Sequence, residues 1–295
     1  MNKIALLISL LALVNFAQGE EPVSDHWTVK GHIPLERFVI QSHRGAGELA
    51  PENTIEAFEL GWKLGTVPEC DLRTTKDGVI VTFHDENFGR VVVGASEELK
   101  KKGVKDVTFD EVKKLDVGQG RHVITISQAF EAMKDKPERR MYLDIKNVDL
   151  DQLARLAKEA GVENRVILAS TKYDIIQHWK KLVPDGQTLL WMGGDEPKLV
   201  KRIEELRKND FAAVTQLQIH IHPEVTTSNV KLQPSDRFLL DLGKELRSRG
   251  ILFQTLPYAK FDPRIYHRLL DLGVQSFATD QPDQLLAAVK EYYKQ

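Results

Sequence analysis

Cysteine is nearly absent from this sequence of 295 residues, since Cys70 is the only one. An internal disulfide and a cysteine-based zinc site are therefore both excluded. An excess of charge of one sign is also missing, because 41 lysines and arginines face 43 aspartates and glutamates, a net charge of −2. This balance gives no long-range attraction to nucleic acid or to an anionic membrane surface, and we expect neither as a partner.

Long hydrophobic runs occur only at the start of the chain, so no later segment is predicted to insert stably in a membrane. There Lys3 precedes an almost unbroken apolar run over residues 4–14, and small residues follow at positions 17 and 19. This order is typical of a secretory signal peptide over residues 1–19, and the run is shorter than the ~20 residues that span a bilayer. An uncleaved anchor is the alternative. We expect an exported protein, either periplasmic or secreted.

The rest of the chain has the composition of a folded protein, with 42% hydrophobic and 28% charged residues. We predict a polar lead-in over residues 20–36 and a single domain over 37–295. Within that domain, short apolar runs alternate with longer amphipathic runs. Eight strands are predicted, at residues 38–42, 68–72, 141–145, 166–169, 188–192, 212–217, 251–255 and 275–278.

Eight buried strands, each followed by a helix, predict an α/β protein with the (β/α)₈ or TIM barrel fold. An open, doubly wound sheet is the alternative fold with the same alternation of elements. One segment, residues 73–126, is additional to the eight units. In it, a turn signal at residues 76–78 and a short apolar run at 79–83 predict an extra hairpin after strand 2.

Acidic side chains cluster at the predicted carboxyl ends of two strands, where barrel enzymes place their chemistry. Glu69 and Asp71 are two residues apart on strand 2 and therefore share a face, and Asp144 lies on strand 3. Three carboxylates suit one hard divalent cation, Ca²⁺ or Mg²⁺, which would offset their mutual repulsion. An ion-pair network neutralised by Arg73 and Lys146 is the alternative.

Two histidines and two cationic side chains reach the same predicted edge. His43 and Arg44 follow strand 1, Lys146 follows Asp144 on strand 3, and His84 ends the extra hairpin. A histidine pair could act as general acid and base, because imidazole titrates near neutral pH. The planar fork of Arg44 could hold a phosphate group. Together with a metal ion, these residues describe a site for a phosphodiester.

Ordered motifs in the first half of the sequence, and one near its end, resemble the signature of the glycerophosphodiester phosphodiesterase family. The resemblance is strong over residues 38–146, whereas only the rhythm of strands and helices matches from 147 to 250. The matching motifs are His43-Arg44-Gly45-Ala46, Pro51-Glu52-Asn53-Thr54, Glu69-Cys70-Asp71, Thr75-Lys76-Asp77-Gly78, His84-Asp85, Asp144-Ile145-Lys146 and Thr279-Asp280-Gln281-Pro282.

This resemblance implies a barrel enzyme that hydrolyses small-molecule glycerophosphodiesters to glycerol 3-phosphate and an alcohol. It also implies one divalent cation as cofactor and a cyclic phosphate formed by the substrate's own glycerol hydroxyl. No activated serine or cysteine nucleophile is evident among the candidate residues. The roles that the resemblance assigns are metal ligands for Glu69, Asp71 and Asp144, acid and base for His43 and His84, and phosphate contacts for Arg44 and Lys146.

Some positions depart from the family pattern or lie outside it. Asp144 stands where the third metal ligand is usually the longer glutamate. Gln254, at the end of strand 7, stands where many relatives have a tryptophan, and it could line the pocket and bind a more hydroxylated substrate. Trp191, at the end of strand 5, either lines the pocket or fills the barrel. His220 and His222 are expected as loop histidines at the rim, with a metal site as the other interpretation.

Three other functions stay open at this point. A phosphodiester lyase of the same barrel superfamily would stop at the cyclic phosphate. A non-catalytic barrel would bind a phosphorylated ligand without turning it over. A glycosidase would need just two carboxylates and would leave His43, Arg44 and His84 without roles.

Overall fold

The structure, a computed structural model, describes residues 27–295. The signal peptide predicted over residues 1–19 lies outside the described residues, as does the first part of the lead-in. Several contacts attach the described part of the lead-in, residues 27–36, to the domain. Val29 is fully buried in the main core, and the hydroxyl of Tyr293 donates to the carbonyl oxygen of Ile33 at 2.7 Å. The side chains of Trp27 and Ile33 also pack against this core. Their burial stabilises the contact between the lead-in and the domain, because it removes apolar surface from water.

Eight parallel strands form a closed barrel, which confirms the predicted (β/α)₈ fold. The eleven strands of the described chain are β1 (Val39–Ser42), β2 (Val67–Thr74), β3 (Ile80–Thr82), β4 (Met141–Asn147), β5 (Val166–Ser170), β6 (Gln187–Met192), β7 (Gln216–Ile221), β8 (Glu224–Val225), β9 (Val230–Lys231), β10 (Leu252–Pro257) and β11 (Ser276–Thr279). Around the barrel they follow the order β1, β2, β4, β5, β6, β7, β10 and β11, and β11 pairs with β1 to close it. Strand β3 is antiparallel to β2 and forms the predicted extra hairpin.

Helices follow the barrel strands and turn their apolar faces toward the sheet. Side-chain caps begin several of them, and the hydroxyl of Thr54 at the start of α2 accepts the backbone N–H of Ala57. Among the described residues, none of the helices has the length and hydropathy needed to span a membrane. The helices are α1 (Val29–His32), α2 (Ile55–Leu64), α3 (Glu97–Lys101), α4 (Phe109–Val112), α5 (Ile126–Met133), α6 (Leu150–Glu159), α7 (Tyr173–Leu182), α8 (Glu196–Lys208), α9 (Asp236–Ser248), α10 (Pro263–Asp271) and α11 (Pro282–Lys294).

The sixth predicted strand, 212–217, is wrong in position, because the strand is Gln216–Ile221. Residues 209–214 instead form the turn that follows α8. In this turn Phe211 has a positive φ of 52° and is buried in the main core. An apolar run in a buried turn resembles a short buried strand in composition, so the sequence pattern does not separate the two. The corrected position brings His220 onto the carboxyl end of β7.

The insertion between β2 and α5 has a hydrophobic core of its own. Phe83 and Phe88 pack with ring centroids 5.4 Å apart, and Val104 and Val112 are buried in the same cluster. This core lies beside the hairpin of β2 and β3, so it fixes the loop that leaves β3. That loop begins with His84, one of the predicted catalytic residues.

Polar side chains are joined by hydrogen bonds inside the barrel. Gln218 donates to Gln254, and Gln254 donates in turn to Ser276 at 2.9 Å and to the hydroxyl of Tyr142 at 3.3 Å. The Tyr142 hydroxyl donates to Gln216 at 2.8 Å. All five side chains are buried, and these bonds satisfy groups that would otherwise be costly to remove from water.

Candidate active site

One cavity of about 160 Å³ opens at the carboxyl end of the barrel, where the loops from strands to helices meet. This is the edge at which the sequence places the chemistry. Asp71, a predicted metal ligand, is buried beside the cavity with 1% of its surface exposed. The cavity is lined by the other two predicted metal ligands, the predicted acid and base, both predicted phosphate contacts and one predicted pocket residue. These residues are Glu69 and Asp144, His43 and His84, Arg44 and Lys146, and Trp191.

The three predicted metal ligands meet at one point. Glu69 and Asp71 lie on β2, and Asp144 lies on β4 in register with Asp71. One oxygen of each carboxylate lies within 4.8 Å of the others, and no side chain of the three is more than 13% exposed. Asn53 fixes Asp71, because its side-chain amide donates to Oδ2 and accepts the Asp71 backbone N–H, both at 2.9 Å. We call these three carboxylates the acidic cluster.

Lys146 supplies the nearest positive charge. Its Nζ lies 2.6 Å from Oδ2 of Asp144 and 3.0 Å from Oδ1 of Asp71. Burial opposes the ionisation of Asp71, but Lys146 and the two histidines hold its pKa below the ordinary value. Burial and repulsion from Asp71 raise the pKa of Glu69 to about 8, and burial also raises the pKa of Asp144. One lysine therefore does not compensate three carboxylates.

The acidic cluster fits a divalent cation better than it fits a closed ion-pair network. Oε2 of Glu69 accepts the backbone N–H of Arg44 at 2.8 Å, but Oε1 is buried without a hydrogen-bond partner. Arg73, which the network would need as a counter-charge, instead donates Nε to the carbonyl oxygen of His84 at 2.9 Å. Buried carboxylates with an unpaired oxygen are the donor set that Ca²⁺ and Mg²⁺ prefer, so these residues could hold such an ion.

A carboxylate orients His43 at the end of β1. Its Nδ1 lies 2.7 Å from Oδ1 of Asp280, because Ser42 and Thr279 pair at the ends of β1 and β11. Gly47 permits this approach, since a Cβ there would come within 2.0 Å of the Asp280 carbonyl oxygen. Burial lowers the pKa of His43, but the bond to Asp280 and the nearby carboxylates outweigh it and raise the pKa to about 9.

His84 has the same arrangement after β3. Its Nδ1 lies 2.6 Å from Oδ1 of Asp85. Burial would raise the pKa of Asp85, but its bonds to Arg90 and His84 lower it to about 2, so the carboxylate is ionised at neutral pH. In both His43 and His84, Nδ1 is therefore bonded to a carboxylate. Nε2 is left as the ring nitrogen that a substrate can reach.

Arg44 has a left-handed backbone conformation, with φ of 52°, between β1 and α2. Its Nη1 donates to Glu52 at 3.0 Å, whereas its buried Nε lies 3.8 Å from Asp71 and has no hydrogen-bond partner. A guanidinium with an unpaired N–H group beside a cavity suits an anionic phosphate oxygen. Lys146 lines the same cavity, so both predicted phosphate contacts lie where one phosphate could reach them.

Aromatic rings form one wall of the cavity. Trp191 on β6 and His220 on β7 stack with centroids 5.0 Å apart at an interplanar angle of 13°, and Tyr258 meets His220 edge-on at 5.0 Å. Trp191 also donates Nε1 to Asp144 at 3.3 Å. Burial, followed by the neighbouring histidines, lowers the pKa of His220 to about 4, so this ring is neutral. Tyr258 is a cavity residue that the sequence analysis missed, and His220, which was expected on a loop at the rim, also lines the cavity.

The structure changes two expectations about this wall. His220 is a strand residue rather than a loop residue, and the alternation of residues along 216–221 would have shown this if the strand had been placed correctly. Gln254 does not line the cavity, because its side chain is fully buried in the barrel and its amide is bonded to Gln218, Ser276 and Tyr142. Within residues 27–295, the acidic cluster is the one group of three side chains with metal-ligand geometry, and His220 is not part of it.

A family model spans most of this barrel and includes every residue of the site. It is the model of the glycerophosphoryl diester phosphodiesterase family, and it matches residues 43–284. The chain belongs to this family. It is a phosphoric diester hydrolase of the glycerophosphodiester phosphodiesterase type, which sets the glycosidase alternative aside.

Similar proteins of known sequence cover nearly the whole chain. A glycerophosphodiester phosphodiesterase of Bacillus subtilis is 29% identical over 316 aligned positions, which cover 98% of this chain and 98% of the relative. One of Caldanaerobacter subterraneus is 27% identical over 270 positions, covering 86% of this chain and 99% of the relative.

Solved structures share the barrel. A glycerophosphodiester phosphodiesterase of Agrobacterium tumefaciens superposes with a TM-score of 0.63 at 21% identity, covering 85% of this chain and 99% of the other. An Oleispira antarctica phosphodiesterase superposes with a TM-score of 0.63 at 19% identity, covering 85% and 96%, and its structure contains the product sn-glycerol-3-phosphate. At these identities the superpositions show the common fold.

Metal binding by the acidic cluster can be measured without turnover. We expect Ca²⁺ or Mg²⁺ at about 100 times its Kd to stabilise the wild-type chain by about 2.7 kcal/mol, which raises Tm by roughly 5 °C. Glu69→Gln should abolish this rise, while its metal-free Tm stays equal or increases because one buried charge is removed. Differential scanning calorimetry with and without a chelator gives both values.

The matched control is Glu48→Gln, which removes an exposed carboxylate near the same edge but outside the acidic cluster. This variant should keep the full increase in Tm. An equal increase in Glu69→Gln and in the wild type would show that the ion binds elsewhere.

Proposed function

We propose that the chain hydrolyses glycerophosphodiesters to glycerol 3-phosphate and an alcohol, with a divalent cation in the acidic cluster and with His43 and His84 as acid and base. One observation carries the proposal: two histidines, each bonded through Nδ1 to a carboxylate, line one cavity with the acidic cluster, Arg44 and Lys146. The family match supports the same reaction class. The product bound in the Oleispira antarctica relative is the product proposed here.

Arg44 and Lys146 bind the phosphate of the substrate. The unpaired Nε of Arg44 donates to one non-bridging oxygen, and the ammonium of Lys146 compensates negative charge on another. A divalent cation held by Glu69, Asp71 and Asp144 would supply Lewis-acid stabilisation of the charge that develops on the phosphate oxygens.

The two imidazoles move the protons in both half-reactions. In the first, one imidazole accepts at Nε2 the proton of a glycerol hydroxyl, whose oxygen attacks phosphorus, while the other donates its proton to the departing alcohol oxygen. A cyclic phosphate results. In the second, the imidazole that lost its proton takes one from a water molecule, whose oxygen attacks phosphorus, and the other protonates the glycerol oxygen as its bond to phosphorus breaks and the ring opens. Each histidine ends in its starting state, as microscopic reversibility requires.

The reaction can be followed directly by phosphorus NMR on the mature chain, residues 20–295, with Ca²⁺ or Mg²⁺ supplied. We expect glycerol 3-phosphate to be released from at least one of glycerophosphocholine, glycerophosphoethanolamine, glycerophosphoglycerol and glycerophosphoinositol, and we expect a chelator to stop its release. A cyclic phosphate that persists would identify a lyase instead. A lack of turnover with all four diesters would indicate a barrel that only binds its ligand.

The histidine roles have a separate test. His43→Ala and His84→Ala should each lower kcat at least about 10²-fold, because each removes a proton-transfer group. Steady-state kinetics measure the loss, and circular dichroism checks that the variants fold. His178→Ala, on the partly exposed face of α7, is the control and should keep normal turnover. Near-normal turnover in either active-site variant would remove that histidine from the mechanism.

We also propose that the protein is exported and acts in a periplasm or outside the cell. The support is the sequence of residues 1–19, in which a positive start, an apolar run and small residues follow in the order of a signal peptide. Amino-terminal sequencing of the protein from its native host should find Glu20 as the first residue. An amino terminus at Met1 would favour an uncleaved anchor.

A further inference from the structure

An arginine of the insertion reaches the edge of the active site. Arg90 lies on the loop between β3 and α3, and this loop is fixed because Phe88 and Val92 are buried in the core of the insertion. A backbone hydrogen bond also holds it, since the N–H of Val93 donates to the carbonyl oxygen of Asp116 at 2.8 Å. The guanidinium of Arg90 therefore projects from a held segment, although about half of its side chain is exposed.

That guanidinium bridges two carboxylates. Nη1 and Nη2 donate to the two oxygens of Glu52, each at 2.7 Å. Nε and Nη2 donate to the two oxygens of Asp85, at 2.7 and 2.9 Å. Glu52 and Asp85 are only 19% and 20% exposed, so the bridge is shielded from solvent more than an ordinary surface ion pair. Both pairings are bidentate, a geometry that a guanidinium can provide and an ammonium cannot.

Each bridged carboxylate has a second partner in the active site. Asp85 accepts the Nδ1 group of His84 at 2.6 Å, and Glu52 accepts Nη1 of Arg44 at 3.0 Å. The bridge therefore joins a proposed catalytic histidine to a proposed phosphate-binding arginine, although Arg90 itself is not among the residues that line the cavity.

We propose that Arg90 is a positioning residue, which orients His84 through Asp85 and Arg44 through Glu52. This inference rests on the proposed function, since it assumes that His84 and Arg44 act on a phosphodiester. Without Arg90, the two carboxylates would face each other with one fewer counter-charge. Repulsion would then turn Asp85 away from His84, and the imidazole would lose the bond that fixes its ring and its tautomer.

Kinetics of variants at this position test the inference, with glycerophosphocholine as the substrate in the presence of the metal. Arg90→Ala should lower kcat about 10- to 100-fold and also raise KM, because both His84 and Arg44 lose their orientation. Arg90→Lys should restore little of the loss, since a lysine cannot bridge both carboxylates. A variant that merely folded less completely would lose activity without a change in KM.

The chain offers a matched control in the same insertion. Arg121 donates Nη1 to Glu56 of α2 at 2.8 Å, so it also joins the insertion to the barrel, but it contacts none of the site residues. Arg121→Ala should keep the wild-type kcat and KM. An equal loss of activity in Arg121→Ala and Arg90→Ala would overturn the inference, because the effect would then come from docking of the insertion.

A readout without turnover separates this inference from the proposed function. In protein with ¹⁵N-labelled histidine, the His84 ring should show a proton on Nδ1 in the wild type, and Arg90→Ala should lose or broaden that signal. His84→Ala assigns the resonance. If the wild type cleaves no diester, the proposed function fails, and this spectrum still decides the role of Arg90. Wild-type kinetics together with an unchanged His84 spectrum in Arg90→Ala would overturn it.

Discussion

Three buried carboxylates that lie close together at the mouth of the barrel determine the arrangement of the residues around them. Burial penalises each negative charge, and the charges repel one another across less than 5 Å. The arrangement persists because the surroundings supply compensation: the ammonium of Lys146, the amide of Asn53 and the backbone N–H of Arg44. The compensation is incomplete at Glu69, where one buried oxygen has no hydrogen-bond partner, so the cluster could hold a divalent cation. A cation held there would attract a phosphate, which the uncompensated carboxylates alone would repel.

The barrel positions one of the two histidines, and the insertion positions the other. His43 is oriented within the barrel, because Asp280 follows the strand that pairs with β1. His84 belongs to the hairpin, and the insertion core holds the loop after it. The two histidines that we propose as proton-transfer groups therefore lie on separately stabilised parts of the chain, and the proposed reaction would need both parts to be folded and docked.

Local spacing was sufficient to predict much of this site. Glu69 and Asp71 share a face because side chains alternate along a strand, and Asp144 joins them because neighbouring parallel strands end at one edge. The extra hairpin was also predictable, since it depends on a few adjacent residues. The motifs that resemble the family placed His43 and His84 correctly in the same cavity.

Features that depend on contacts between residues distant in the sequence could not be predicted from local spacing. Phe211 belongs to a buried turn, and the apolar residues beside it led to a strand predicted at 212–217 instead of 216–221. His220 was therefore not predicted to lie on a strand. Gln254 follows a strand pattern, but the pattern does not give its depth in the barrel. Its depth follows from the tertiary contacts of its amide with Gln218 and Tyr142.

The hydrogen-bonded interior of the barrel also limits how this sequence can change over evolutionary time. An apolar residue at position 254 would leave Gln218 and Tyr142 each without one partner in a space closed to water. A substitution at position 254 is therefore expected to be less destabilising when positions 218 and 142 change with it. A related sequence with a large aromatic side chain at position 254 should therefore also differ at positions 142 and 218, so the three positions should vary together.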